Sequence, residues 1–246
     1  MPRFYIPAIS WNPDRLVRDV AESLHAVDVL RMKAGDRATV FNGEGGEAEV
    51  EILKAGTQGV ELRRVSHQKT PPLPCRITLA QAVPKGKNME LIIEKATELG
   101  ASGIAPLLSE RTVVRGSEGD HMRKQQKWQR VAVEACKQCG QNYLPRVAQP
   151  CTPRALFERN ERFDLMLIGS LQSDARSMRE VFAEFGANRP RSVLILIGPE
   201  GDFTPAEVAL AKSHGCRPIT LGPIILRTET AAIYCVSVLA HEFFEA

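Results

Sequence analysis

Two stretches restrict most strongly what this chain can become: "DLMLIG" (164–169) and "VLILIG" (193–198). Each is a short, nearly all-apolar run that ends in glycine. A strand with one wetted face alternates apolar and polar residues. A strand without alternation is buried on both faces, as in a parallel sheet covered by helices. "RITLAQAV" (76–83), "GIAPLL" (103–108) and "PITLG" (218–222) read as further strands of the same sheet. Helical patterns separate them. In "NMELIIEKATELG" (88–100), Met89, Ile92, Ile93, Ala96 and Leu99 fall on one helical face, with Asn88 as N-cap and Gly100 just past the end. Asp120 to Cys139 is a long helix closed by Gly140. Thr204-Pro-Ala-Glu207 is a capping box with proline in the first helical position. A last helix starts at Thr228. The fold class is α/β.

Residues 1 to about 70 follow other rules. "RATVFN", "GEAEVEIL" and "GVELRRV" are short strand-like runs split by "GEGG" and "AGTQG", both hairpin-type turns. One helical stretch, Val20 to Leu30, interrupts them. This pattern predicts a small β-barrel. The Pro-rich "HQKTPPLP" (67–74) reads as the linker to the second domain, over 75–246. The chain of 246 residues, 43% hydrophobic, can bury two such cores. No run is long enough to span a membrane. The opening "MPRFYIPAISWNPDR" lacks the apolar core of a secretory signal, and six scattered cysteines suit a reducing, cytoplasmic setting. Cys136-x-x-Cys139 has no second Cys or His pair at matching spacing, so no metal site is expected.

Ligands of an open parallel sheet bind beyond the C-terminal ends of its strands. Gly169, Gly198 and Gly222 each stand at such an end, two of them followed by proline. Glycine there lets backbone groups approach a ligand. No GxGxxG or GxxxxGK[ST] is present, and the loops carry no lysine. A ligand held largely by backbone and weakly charged suits them better than a polyphosphate. Arg227 and Glu229 follow the second corner. They either pair with each other at a helix start or reach toward a substrate. Glu200 is either a turn carboxylate or a group that orients a substrate, and Asp202 suits the approach to a helix N-terminus. Charge is uneven. Residues 111–154 hold nine Lys/Arg against three Asp/Glu, and Lys85 and Lys87 lie just upstream. Such a surface is either a solvated helix face or a seat for a phosphate backbone.

"IGPEGDFTPAEV" and "LGPIILRTETAA" resemble the two signature loops of the RsmE-type ribosomal RNA methyltransferases, of the SPOUT superfamily. "QAVPKGKNMELIIEKATELGASGIAPLLSERTVV" and "VAVEACKQCGQNYLPRV" extend the likeness, as do "PRFYIP" and "HAVDVLRMKAGD" near the start. The resemblance implies a PUA-like, RNA-binding barrel over 1–70 and a SPOUT α/β domain with a C-terminal trefoil knot over 75–246. It implies S-adenosylmethionine as cofactor, N3 of a uridine in 16S ribosomal RNA of the small subunit as target, and a homodimer through the methyltransferase domain. Carried over by position, Gly169, Ile197, Gly198, Pro199, Glu200 and Gly201 from the first loops would hold the cofactor. Leu221, Gly222, Ile225, Leu226 and Thr228 would hold it from the second. Arg227 and Glu229 would be catalytic. RNA contacts would come from Arg3 and Arg31, and from Lys85, Lys87, Arg111, Arg115 and Arg146. Asp202 stands where the family usually has glycine, and Gln141 where arginine is common. Rival readings are a non-catalytic RNA-binding module, and a related enzyme acting on a ribose 2′-hydroxyl or on transfer RNA.

Overall fold

The computed structural model describes residues 1–12, 32–56, 59–112, 117–186 and 188–244. The chain divides into two compact units. One comprises Met1–Pro72 with Val133–Leu144, the other Leu73–Ala132 with Pro145–Ala246. The expected helix Val20–Leu30 lies outside the described residues.

In the first unit, β1 (Arg3–Tyr5) runs parallel to β2 (Arg37–Phe41), which is followed by the antiparallel strands β3 (Gly46–Gly56) and β4 (Gly59–Lys69). The "GEGG" turn forms as its composition predicts. Asn42 Oδ1 accepts from the Glu44 and Gly46 N–H groups, both at 2.8 Å, and Gly43 and Gly45 take φ of 76° and 89°. Phe4, Val40, Val50, Ile52 and Leu62 form its core. The linker starts later than its composition suggests. His67, Gln68 and Lys69 pair with Ala48, Glu47 and Gly46 and so belong to β4. Cross-strand bonds outweigh the polar character of "HQK".

In the second unit, seven strands form one sheet in the order β7-β6-β5-β10-β8-β11-β9, every neighbouring pair parallel. They are β5 (Arg76–Ala82), β6 (Gly103–Leu107), β7 (Arg146–Val147), β8 (Leu165–Gly169), β9 (Arg176–Ser177), β10 (Ser192–Ile197) and β11 (Arg217–Thr220). Every residue of the central β10 is buried, as its unbroken apolar run requires. Ala80, Ala82, Leu194, Leu196 and Ile168 pack on one face with α3 (Pro153–Glu158) and α5 (Pro205–Ser213). The alternate residues Ile77, Leu79, Val193 and Ile195 point to the other face. There α6 (Thr228–Phe244) lies on β5 and β10 and against α1 (Asn88–Glu98). The long helix α2 (Glu118–Cys139) and the short α4 (Met178–Ala183) complete the set of described α-helices.

The return of the chain decides the topology. β11 pairs with β8 and β9, yet the next element, α6, goes back past β8 to β10 and β5. This return brings the loop before α6 against the loop after β10. Thr228 Oγ1 donates to the Gly198 carbonyl at 2.6 Å.

Candidate active site

Register sets the level of the site. Leu196 lies opposite Ile168, and Ile219 opposite Gly169, so β8, β10 and β11 end side by side. Beyond these ends lies a cavity of about 480 Å3, a volume ordinary for a small-molecule site (roughly 300–1,000 Å3). Asn88 and three further groups of residues line it. Gly169, Ser170 and Leu171 follow β8. Ile197, Gly198, Pro199, Glu200 and Asp202 close β10. Leu221, Gly222, Ile224, Ile225, Leu226, Arg227, Thr228, Glu229 and Ala231 lead into α6.

Each loop is shaped by local chemistry. The first is a turn in which Asp202 N–H donates to the Pro199 carbonyl at 2.9 Å. Asp202 itself has φ of 60°, in the left-handed region. That conformation favours glycine, and asparagine and aspartate are the residues with a side chain that visit it most readily. Here Asp202 Oδ1 accepts from the Phe203 N–H at 2.8 Å. A Cβ on Gly198 would come within 3.1 Å of Phe203 N and Asp202 Oδ1, so the turn closes tightly only around glycine. Thr204 accepts from Glu207 N–H and Glu207 from Thr204 N–H, the predicted capping box. The second loop turns at Gly222, whose φ is 110°. Its Ile224 and Ile225 are 74% and 76% exposed, a large apolar surface for two adjacent residues.

The predicted site residues are therefore mostly brought together. Gly201 is set apart: its side-chain position meets Arg111, whose Nη1 donates to the Gly201 carbonyl at 2.5 Å. Glu200 Oε1 accepts from the Lys85 backbone N–H at 2.9 Å, so this carboxylate ties the loop after β5 to the loop after β10. Arg227 and Glu229 line the same cavity. Neither side chain makes an ion pair or hydrogen bond among the described residues. Of the two possibilities left open by sequence, mutual pairing is therefore not the one formed. Asn88 is a correction. The N-cap is Lys87, without a side-chain cap bond, and Asn88 is the first helical residue and lines the cavity. Sequence reasoning assigned it to helix capping because asparagine suits that position, and so missed it as a site residue.

Among the expected RNA contacts, Lys85, Lys87, Arg111 and Arg146 are exposed. Arg31 and Arg115 lie outside the described residues. Arg3 is placed differently. Its guanidinium bonds Glu47 at 2.7 Å and Asn142 Oδ1 at 2.7 Å and stacks 5.0 Å from the Phe41 ring centre. Burial pushes the Glu47 carboxyl up, but bonds from Arg3, Asn142 and Gln68 outweigh it and hold the group below its ordinary value. Arg3 thus spends its charge inside its own unit. In the basic stretch, Arg123, Lys127 and Lys137 pair with Asp120, Glu90 and Glu134. Gln141 uses its side-chain oxygen to accept from Tyr143 N–H.

A fold with its cavity between two glycine-bent strand ends, beside a returning C-terminal helix, is that of a SPOUT methyltransferase. The model of an RNA methyltransferase domain matches residues 71–240, and that of an RNA methyltransferase PUA domain matches 17–63. The protein is an S-adenosylmethionine-dependent RNA methyltransferase. The chain is 32% identical over 221 residues to ribosomal RNA small subunit methyltransferase E of Bacillus subtilis, covering 89% of this chain and 86% of that one. Identity with the same enzyme of Synechocystis is 38% over 208 residues, or 82% of this chain and 65% of the relative. The crystal structure of ribosomal RNA small subunit methyltransferase E from Neisseria gonorrhoeae bound to S-adenosyl methionine matches with a TM-score of 0.84. That match has 27% identity and covers 98% of this chain and 97% of that one. The chain belongs to the ribosomal RNA small subunit methyltransferase E family.

Proposed function

We propose that the protein methylates N3 of a uridine in 16S ribosomal RNA, working as a homodimer through its methyltransferase unit, with the cofactor in the cavity between the two loops. The observation that carries this reading is the pair Arg227 and Glu229, on the wall of a cavity where the other charged side chains, Glu200 and Asp202, are bonded to backbone N–H groups and these two have no partner among the described residues. The cavity fits the cofactor. Gly198 admits no Cβ without a shift of the turn, Gly222 needs its positive φ, and Ile197, Leu221, Ile225 and Leu226 offer apolar contact.

Bound S-adenosylmethionine supplies an electrophilic methyl carbon. The chain must align uracil N3 with that carbon and ease the loss of its proton. Arg227 can stabilise the charge that develops on O2 or O4, or grip the neighbouring phosphate. Glu229 can accept the proton, although a carboxylate is a weak base for an imide. Asn88 offers an amide from another part of the wall. Lys85, Lys87, Arg111 and Arg146 supply positive charge for phosphates. Exposed Ile224, Ile225 and Tyr234 provide apolar surface for a second copy.

Digestion of RNA modified by the enzyme, followed by mass spectrometry of its nucleosides, tests the target. N3-methyluridine is the expected product. A 2′-O-methylated nucleoside would refute the reading, as would methylation of transfer RNA alone.

A further inference from the structure

Strand β5 is apolar over its last residues except for Gln81, whose side chain has no exposure. A buried amide is costly unless its donors and acceptor find partners. Gln81 Nε2 finds two: the Ala82 carbonyl at 2.8 Å and Thr228 Oγ1 at 2.9 Å. Gln81 Oε1 is buried with no partner among the described residues. A leucine would fill the same space without an orphaned oxygen, so packing does not account for the amide. Its two donors do.

The second donor has a directed effect. Thr228 Oγ1 accepts from Gln81, so its own proton goes to the Gly198 carbonyl at 2.6 Å. Three separate elements meet in this relay: the end of β5, the bend after β10 and the first residue of α6. Gly198 and Thr228 both line the cavity, whereas Gln81 stands behind them. We infer that Gln81 is a positioning residue for the cofactor cradle: through Thr228 it holds the Gly198 and Gly222 bends at their working separation and so sets the affinity for S-adenosylmethionine. This rests on the reading that the cofactor occupies this cavity.

Calorimetric titration of the full chain with S-adenosylmethionine tests it. Gln81→Leu should weaken binding about tenfold, the loss expected for one directed hydrogen bond in a closed network. Ile77→Val, in the same strand but away from the cavity, should lower Tm without changing affinity. Gln81→Glu adds a signature that a purely structural role would not produce. A buried carboxyl can donate to Thr228 only when protonated, and burial raises its pKa. Affinity of that variant should therefore fall as pH rises through the raised value, relative to the unmodified protein. Thr228→Ser should retain affinity, and Thr228→Val should cost little more once Gln81→Leu is present. Should Gln81→Leu fail to fold, the pH profile of Gln81→Glu decides. Unchanged affinity in Gln81→Leu, a flat profile in Gln81→Glu, or additive losses would overturn the inference. Leu226→Arg separates it from the reading beneath: this half-buried cavity residue, outside the surface offered to a second copy, should lose binding, and if it does not, the cofactor lies elsewhere.

Discussion

Arg227 carries the largest single functional weight, because it is the cation on the wall of a cavity whose other charged groups are carboxylates. Its guanidinium has no partner to lose among the described residues, so removing it should not unsettle the fold. Arg227→Ala is expected to abolish methyl transfer to ribosomal substrate, in radiolabel incorporation, with Tm unchanged. Retained turnover would remove Arg227 from the mechanism. Asp202 tests the local geometry instead. A β-branched residue forced to positive φ costs about 1–2 kcal/mol, and glycine there costs nothing sterically. Asp202→Val should lose that much stability in urea unfolding, while Asp202→Gly should stay within about 0.5 kcal/mol of the unmodified protein. The departure from the family's usual glycine is thus a tolerated one: aspartate adopts the bend and bonds the next N–H.

At the scale of elements, the cap at Thr204 holds the start of α5 and with it the end of the first cofactor loop. Thr204 accepts from Glu207 N–H, while the buried Glu207 also accepts from Glu110 N–H at 2.9 Å. Thr204→Ala should destabilise the protein by about 1 kcal/mol in urea melts; no change would mean that the tertiary bond to Glu110 alone fixes Glu207. This helix was legible in advance because Thr-Pro-x-Glu states its own start. So were β5, β6, β8, β10, β11, α1, α2 and α6, through apolar runs or 3.6-residue periodicity. Other elements went unread. β7 and β9 have two residues each, too few to show a period. α3 and α4 have six each, though Thr152-Pro153 and the Ser177/Glu180 capping box mark both starts. Asn88 shows the same limit from the other side: the residue was noticed, but its neighbour across the fold was not.

Over the whole molecule, the surplus of positive charge outside the ion pairs predicts how RNA is held. Replacing Lys85, Lys87 and Arg111 together by alanine should weaken RNA binding at all sequences alike. The slope of log K against log salt should flatten by about 2, near 0.7 per lost phosphate contact on single-stranded RNA. An unchanged slope would place the RNA on another face. By itself the sequence determined the buried parallel sheet, the glycine bends at its strand ends, the helices that announce their caps and the family likeness of the two loops. All of these are local, since each depends on the chemistry of a few consecutive residues. Only the tertiary structure decided that α6 returns past β8 to lie on β5, and that Thr228 thereby meets both Gly198 and Gln81. It also decided that Arg227 and Glu229 stand apart and that Arg3 is spent on Glu47. The bonds of Thr228 and of Arg3 join residues far apart in the chain, and side-chain hydrogen bonds at that range leave no periodic trace in the order of amino acids.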